Sequence, residues 1–81
     1  MTLVIAKTLD CKGLACPLPI VKTAQAMKLL GAGDVIEVLA TDPGATKDFA
    51  AWAKATGNPL VEATSDAGVL RFVLMKKGVT P

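Results

Sequence analysis

Two cap-and-proline pairs govern how this chain folds. Cys16-Pro17 and Asp42-Pro43 each follow a short run rich in apolar residues, and each precedes a stretch with helical spacing. Proline holds its own φ near the helical value and has no N–H to leave unpaired, so it suits the first helical position. The residue before it is pushed toward extended geometry, the conformation of an N-cap. Cys16 and Asp42 are therefore expected to cap helices that begin at Pro17 and Pro43. For the first helix, a start at Pro19 with Leu18 as cap is the alternative, because Leu18 also precedes a proline.

The remaining segments fall into place around these two points. Leu3 to Leu9 is β-branched and apolar and reads as a strand. Asp10 to Ala15 is a loop with Gly13 as its pliant point. The first helix runs from about Pro17 to Leu30, with Ile20, Val21, Ala24, Met27 and either Leu30 or Gly31 along one apolar stripe. Gly31 and Gly33 stop it. Asp34 to Thr41 is a second strand. The second helix runs to about Thr56, buries Phe49, Trp52 and Ala53, and ends at Gly57. Pro59 to Ser65 and Val69 to Lys76 are strands joined through Asp66-Ala67-Gly68, a turn short enough for an antiparallel hairpin.

The order β-α-β-α-β-β predicts an α+β fold, a two-layer α/β sandwich. Its sheet is four-stranded and mixed, with both helices on one face, because alternating strands and helices pair in parallel through crossovers while the hairpin adds an antiparallel strand. The 81 residues are expected to form one domain, residues 1–81, frayed at 1–2 and 77–81.

Composition narrows the chemistry. The chain has no histidine, which excludes Cys–His nucleophile pairs and His-ligated metals within it. Its 2 cysteines cannot fill a tetrahedral metal site alone, so no metal is expected. The net charge of +2 comes from 9 basic and 7 acidic residues spread along the chain, too weak and dispersed to point to nucleic acid. The apolar runs are too short to span a bilayer, and the N-terminus lacks the basic and apolar regions of a secretory signal. A cytoplasmic protein is the expectation, with no direct membrane insertion.

Chemistry concentrates in Gly13-Leu14-Ala15-Cys16-Pro17-Leu18-Pro19, which sets a thiol at a helix mouth. At an N-cap, free backbone N–H groups and the positive end of the helix dipole would face the sulfur and favour its thiolate. The competing reading is a buried, inert cysteine.

Leu9-Asp10-Cys11-Lys12-Gly13-Leu14-Ala15-Cys16-Pro17-Leu18-Pro19 resembles the signature of the TusA family of sulfur-carrier proteins, also called SirA-like, in which Gly-Leu-x-Cys-Pro-x-Pro opens the first helix. The match continues through Gly33-Asp34 and through Asp42-Pro43 with Thr46, Lys47 and Asp48. The resemblance implies a fold like the C-terminal domain of translation initiation factor 3, with strand order 1-2-4-3. It implies a carrier that holds sulfane sulfur as a persulfide on Cys16, a sulfurtransferase by classification that acts as a co-substrate, with no cofactor beyond that covalent sulfur. The donor would be a cysteine desulfurase or a rhodanese-like protein. The acceptor would be another protein's cysteine, in tRNA thiolation, cofactor maturation or sulfur oxidation. Some relatives work beside a membrane transporter of sulfur compounds. A monomer with transient complexes is expected, since docking must leave Cys16 accessible.

Gly13, Leu14, Pro17 and Pro19 would shape the site. Asp10, Lys12, Asp42 and Lys47 are candidates for supporting it or docking a partner, against plainer roles as turn, capping and solvated residues. Lysines Lys12, Lys22 and Lys47 near the sulfur would lower its pKa. Both helices of such a sheet should start at one edge, which makes Asp42 a neighbour of Cys16. Two departures from the family pattern stand out: Lys12 where arginine is common, and the extra thiol Cys11. Cys11 is either a second thiol able to pair with Cys16 or a semi-buried residue at the end of the first strand. Two other functions compete with the carrier: an RNA-binding module, on the strength of the fold, and a thiol-disulfide module using Cys11 and Cys16.

Overall fold

The computed structural model describes residues 4–78. Six elements follow in the expected order: β1 (Ile5–Cys11), α1 (Leu18–Met27), β2 (Val35–Ala40), α2 (Ala45–Thr56), β3 (Leu60–Asp66) and β4 (Val69–Met75). The sheet order is β1-β2-β4-β3. β1 runs parallel to β2, whereas β4 is antiparallel to both β2 and β3. α1 rests on β1 and β2, α2 on β3 and β4, and the helices touch each other. Among the described residues no helix is long and apolar enough to cross a membrane.

Strand alternation decides which side chains enter the core. Ile36, Val38 and Ala40 of β2 point toward the helices and are buried, as are Phe72 and Leu74 of β4. Their register, Ile36 opposite Leu74 and Val38 opposite Phe72, keeps these side chains on one face. Phe49 of α2 stacks on Phe72 with ring centroids 4.5 Å apart. Full burial of a phenylalanine side chain stabilises by about 1.5–3 kcal/mol, and a stacked pair adds about 0.5–1.5 kcal/mol. On the opposite face Arg71 bonds Glu37 and, at 3.1 Å, Glu62, the Thr8 hydroxyl donates to Glu37 at 3.0 Å, and Val73, paired with Glu37, is buried.

The β3–β4 connection is a two-residue turn in which Ala67 (φ 51°) and Gly68 (φ 82°) both adopt left-handed geometry. Two such residues match the twist of a tight hairpin. Asp66, expected in that turn, is the last residue of β3. The second helix stops at Gly57, whose φ of 79° is the left-handed C-cap that glycine tolerates best.

Four expectations need correction. α1 is shorter than Pro17 to Leu30, ending at Met27 before the glycines. Its buried line is Pro19, Thr23, Ala26 and Met27, so the apolar stripe is turned by about one residue. Thr23 can occupy that line because its hydroxyl donates to the Pro19 carbonyl at 2.8 Å, leaving no polar atom unsatisfied. Val21 instead faces outward, 43% exposed. Finally, Lys77 is not frayed: its N–H donates to Asn58 Oδ1 at 2.9 Å. The expected start of β1 at Leu3 and the expected fraying at residues 1–2 and 79–81 lie outside the described residues.

Candidate functional site

Parallel pairing of β1 with β2 carries both strand-to-helix junctions to one edge of the sheet, with Cys11 opposite Ala40. The first junction is built from local turns. Asp10 Oδ1 accepts the Lys12 N–H at 3.1 Å, and the Leu14 N–H donates to the Cys11 carbonyl at 3.2 Å. Gly13 takes the left-handed position of that turn with φ 82°. Two bonds then tie the loop to the second junction. The Gly13 N–H donates to Thr41 Oγ1 at 2.9 Å, and the Cys16 N–H donates to Asp42 Oδ2. Asp42 Oδ1 also accepts the Gly44 N–H at 3.0 Å.

Cys16 does not cap α1. Pro17 is the N-cap, preceded by a cis Cys16–Pro17 peptide. The donors expected to face the sulfur are taken or missing. The Leu18 N–H bonds the Ala15 carbonyl at 2.9 Å, Pro19 has none, and the Ile20 and Val21 N–H groups both bond the Pro17 carbonyl. Asp42 is likewise not a cap: Gly44 holds that position of α2. Its carboxylate turns toward the chain ahead of the helix and toward Cys16.

The sulfur of Cys16 meets a carboxylate instead. Its thiol donates to Asp48 Oδ2, in the first turn of α2. That bond pushes the Cys16 thiol pKa up, with smaller pushes from desolvation and from the charges of Asp48 and Asp42. The lysines of the expected basic rim, Lys12, Lys22 and Lys47, are exposed and belong to no ion pair among the described residues. The N–H groups of Gly44 and Cys16 hold the Asp42 carboxyl below the usual range.

The other expected residues divide clearly. Leu14 is half-buried against the core and Pro19 is buried, so both anchor the loop, whereas Ala15, Cys16 and Pro17 are exposed. Leu18 is 47% exposed and lies three residues before Val21, giving an apolar patch on the first turns of α1. Cys11 is fully buried in the core, and burial pushes its thiol pKa up. Both cysteines are free. A groove of about 940 Å³ opens at the far end of the helices, between Met27, Trp52 and Lys76, and none of the expected site residues lines it. Among the described residues no cluster of His, Cys, Asp or Glu could hold a metal.

Asp48 is the residue that sequence reasoning passed over. It lies in the Asp42-to-Asp48 segment that matches the family pattern, where its residue type alone gives it no role. The signal was available: the first turn of α2 must lie beside Cys16 once both helices start at one edge.

Residues 7–76 match the family model described as Sulfurtransferase TusA. The chain belongs to the TusA family. The sulfur carrier protein TusA of Allochromatium vinosum is 46% identical over 68 residues, covering 84% of this chain and 90% of that protein. YrkI of Bacillus subtilis, which bears a provisional sulfur-carrier name, is 50% identical over 70 residues, covering 86% of this chain and 93% of its own. The crystal structure of a SirA-like protein from Desulfitobacterium hafniense superposes with a TM-score of 0.78 at 27% identity, covering 88% of this chain and 97% of that one. The TusA sheet order and helix placement expected from the sequence are those observed.

Proposed function

We propose that this TusA family member is a sulfur carrier that holds sulfane sulfur as a persulfide on Cys16. The observation that carries this reading is the exposed, free thiol of Cys16 on a loop pinned from two sides, by Leu14 and Pro19 in the core and by Thr41 and Asp42 at the second junction. A carrier needs an accessible sulfur and a fixed approach to it. It needs no acid–base set of its own, because sulfur passes between proteins by thiolate attack, as in disulfide exchange.

The donor in this reading is a cysteine desulfurase or a rhodanese-like protein, and the acceptor presents its own reactive cysteine. The patch of Leu18 and Val21 beside the thiol offers both a surface to dock against. The thiol-disulfide alternative is disfavoured by the full burial of Cys11 in the core. An RNA-binding role would call for a basic face with exposed aromatics. Here Phe49 and Phe72 are buried and Trp52 is partly buried.

The test is intact mass after anaerobic incubation with a cysteine desulfurase and L-cysteine, with a rhodanese and thiosulfate as the second donor. One added sulfur is expected on the wild type and on Cys11→Ser, and none on Cys16→Ser. Sulfur gained by Cys16→Ser overturns the assignment.

A further inference from the structure

We infer that Asp48 keeps Cys16 as a resting thiol in the free protein, and that a cationic side chain of the docking partner releases the sulfur by engaging the Asp48 carboxylate. This rests on the reading of Cys16 as the sulfur-bearing residue. The hydrogen bond from Cys16 Sγ to Asp48 Oδ2 exists only while the sulfur keeps its proton. Once the proton leaves, a thiolate faces a carboxylate at contact distance, and like charges repel.

Two further observations point the same way. The Asp48 side chain has no ion-pair partner and no other hydrogen-bond partner among the described residues. It is half-exposed at the start of α2, so an incoming cation can reach it. The charges that act on the sulfur, Asp48 and Asp42, are both negative, and Asp42 is already engaged by two backbone N–H groups. The lysines of the adjoining segments, Lys12, Lys22 and Lys47, form no ion pair with Asp48 or Asp42 among the described residues. Asp10 is turned to the Lys12 N–H. Among the described residues Asp48 is thus left open to a cation that a docking partner supplies.

The transfer then balances without a further oxidant. A cation on Asp48 weakens its hold on the thiol, and the proton passes to solvent. The Cys16 thiolate attacks the outer sulfur of the donor persulfide, R–S–SH. The Sγ–S bond forms as the donor's S–S bond breaks, and the electron pair leaves with the donor sulfur. That thiolate takes up a proton, leaving R–SH and Cys16–S–SH.

Small disulfides of defined charge test this without a protein partner. Exchange of Cys16 with cystamine (cationic), bis(2-hydroxyethyl) disulfide (neutral) and 3,3′-dithiodipropionate (anionic) is followed by intact mass. The proteins are the wild type, Asp48→Asn and Asp48→Glu, with Cys16→Ser as the unreactive control and circular dichroism to confirm folding. The wild type is expected to favour the cationic over the anionic reagent by about fivefold or more, the effect of one unit charge at contact distance in water. In Asp48→Asn that ratio falls toward one, the neutral reagent reacts faster near neutral pH, and the pH midpoint of exchange drops. Asp48→Glu restores the preference. A charge ratio that survives in Asp48→Asn, or a neutral-reagent rate that does not rise, overturns the proposal. Failure of persulfide loading would count instead against Cys16 as the carrier residue, because these exchange rates read only the thiol and its carboxylate.

Discussion

The carboxylate of Asp42 accepts the backbone N–H of Cys16, a residue 26 positions earlier in the chain. With its other oxygen on the Gly44 N–H, it joins the loop before α1 to the start of α2. An amide at this position keeps one acceptor and turns an N–H toward the second donor. Asp42→Asn is expected to slow sulfur loading of Cys16 severalfold, measured as the rate of mass gain with a fixed desulfurase concentration.

The same bonds give a pH dependence with a definite sign. The Asp42 carboxyl titrates below its ordinary range because it accepts the N–H groups of Gly44 and Cys16. Its contribution to stability is fully present above the ordinary carboxylate pKa and is lost as pH falls through the lowered one. The gap in melting temperature between wild type and Asp42→Asn is expected to be largest near neutral pH and to close in acid, as thermal melts across that range would record.

Cys11 and Cys16 differ in access rather than in kind. Cys11 lies wholly in the core and Cys16 is exposed. A chromogenic disulfide reagent should titrate one thiol per chain in native protein and the second only after denaturation. Two fast thiols in the folded protein would contradict the burial of Cys11.

Phe49 couples α2 to the sheet through its stack on Phe72. Removing a fully buried ring leaves a cavity as well as losing its transfer free energy. Phe49→Ala is expected to cost about 3–5 kcal/mol in urea unfolding. In a domain of this size that is a large share of the whole stability.

Gly13 is the turn residue that sets the loop's direction. A Cβ there would touch nothing within 4 Å, so the penalty lies in its φ of 82°. Gly13→Ala is expected to lose about 1–2 kcal/mol. Gly13→Asn should lose less, since Asn tolerates left-handed geometry better. Denaturant titration of the pair separates conformational strain from steric clash.

Much of this architecture was legible. The two Xaa-Pro pairs marked where both helices begin to within a turn, Gly57 marked the end of the second, and the short Asp66-to-Gly68 link fixed the hairpin. From these the shared edge of the two helix starts followed, while the sheet order came from the family resemblance. The fine position of α1 was not legible. Its register depends on Thr23, a polar residue that enters the core because the Pro19 carbonyl takes its hydroxyl proton. Periodicity of apolar residues has no way to assign such a position. The electrostatics of Cys16 were missed for a related reason. An N-cap argument counts backbone donors, but here prolines and the Ala15 and Pro17 carbonyls remove them, and a carboxylate from a helix 32 residues downstream reaches the sulfur.

The bonds from Gly13 to Thr41 and from Cys16 to Asp42 mean that the cysteine loop hangs from the neighbouring junction rather than from the helix it precedes. The seven-residue stretch from Gly13 to Pro19 is therefore not a portable cassette. Grafted onto another strand–helix unit it would bring the thiol without the two carboxylates that govern it, and its sulfur would behave as an ordinary surface cysteine. Reactivity here is a property of two segments held in register by the sheet, which is what a redesign would have to transplant.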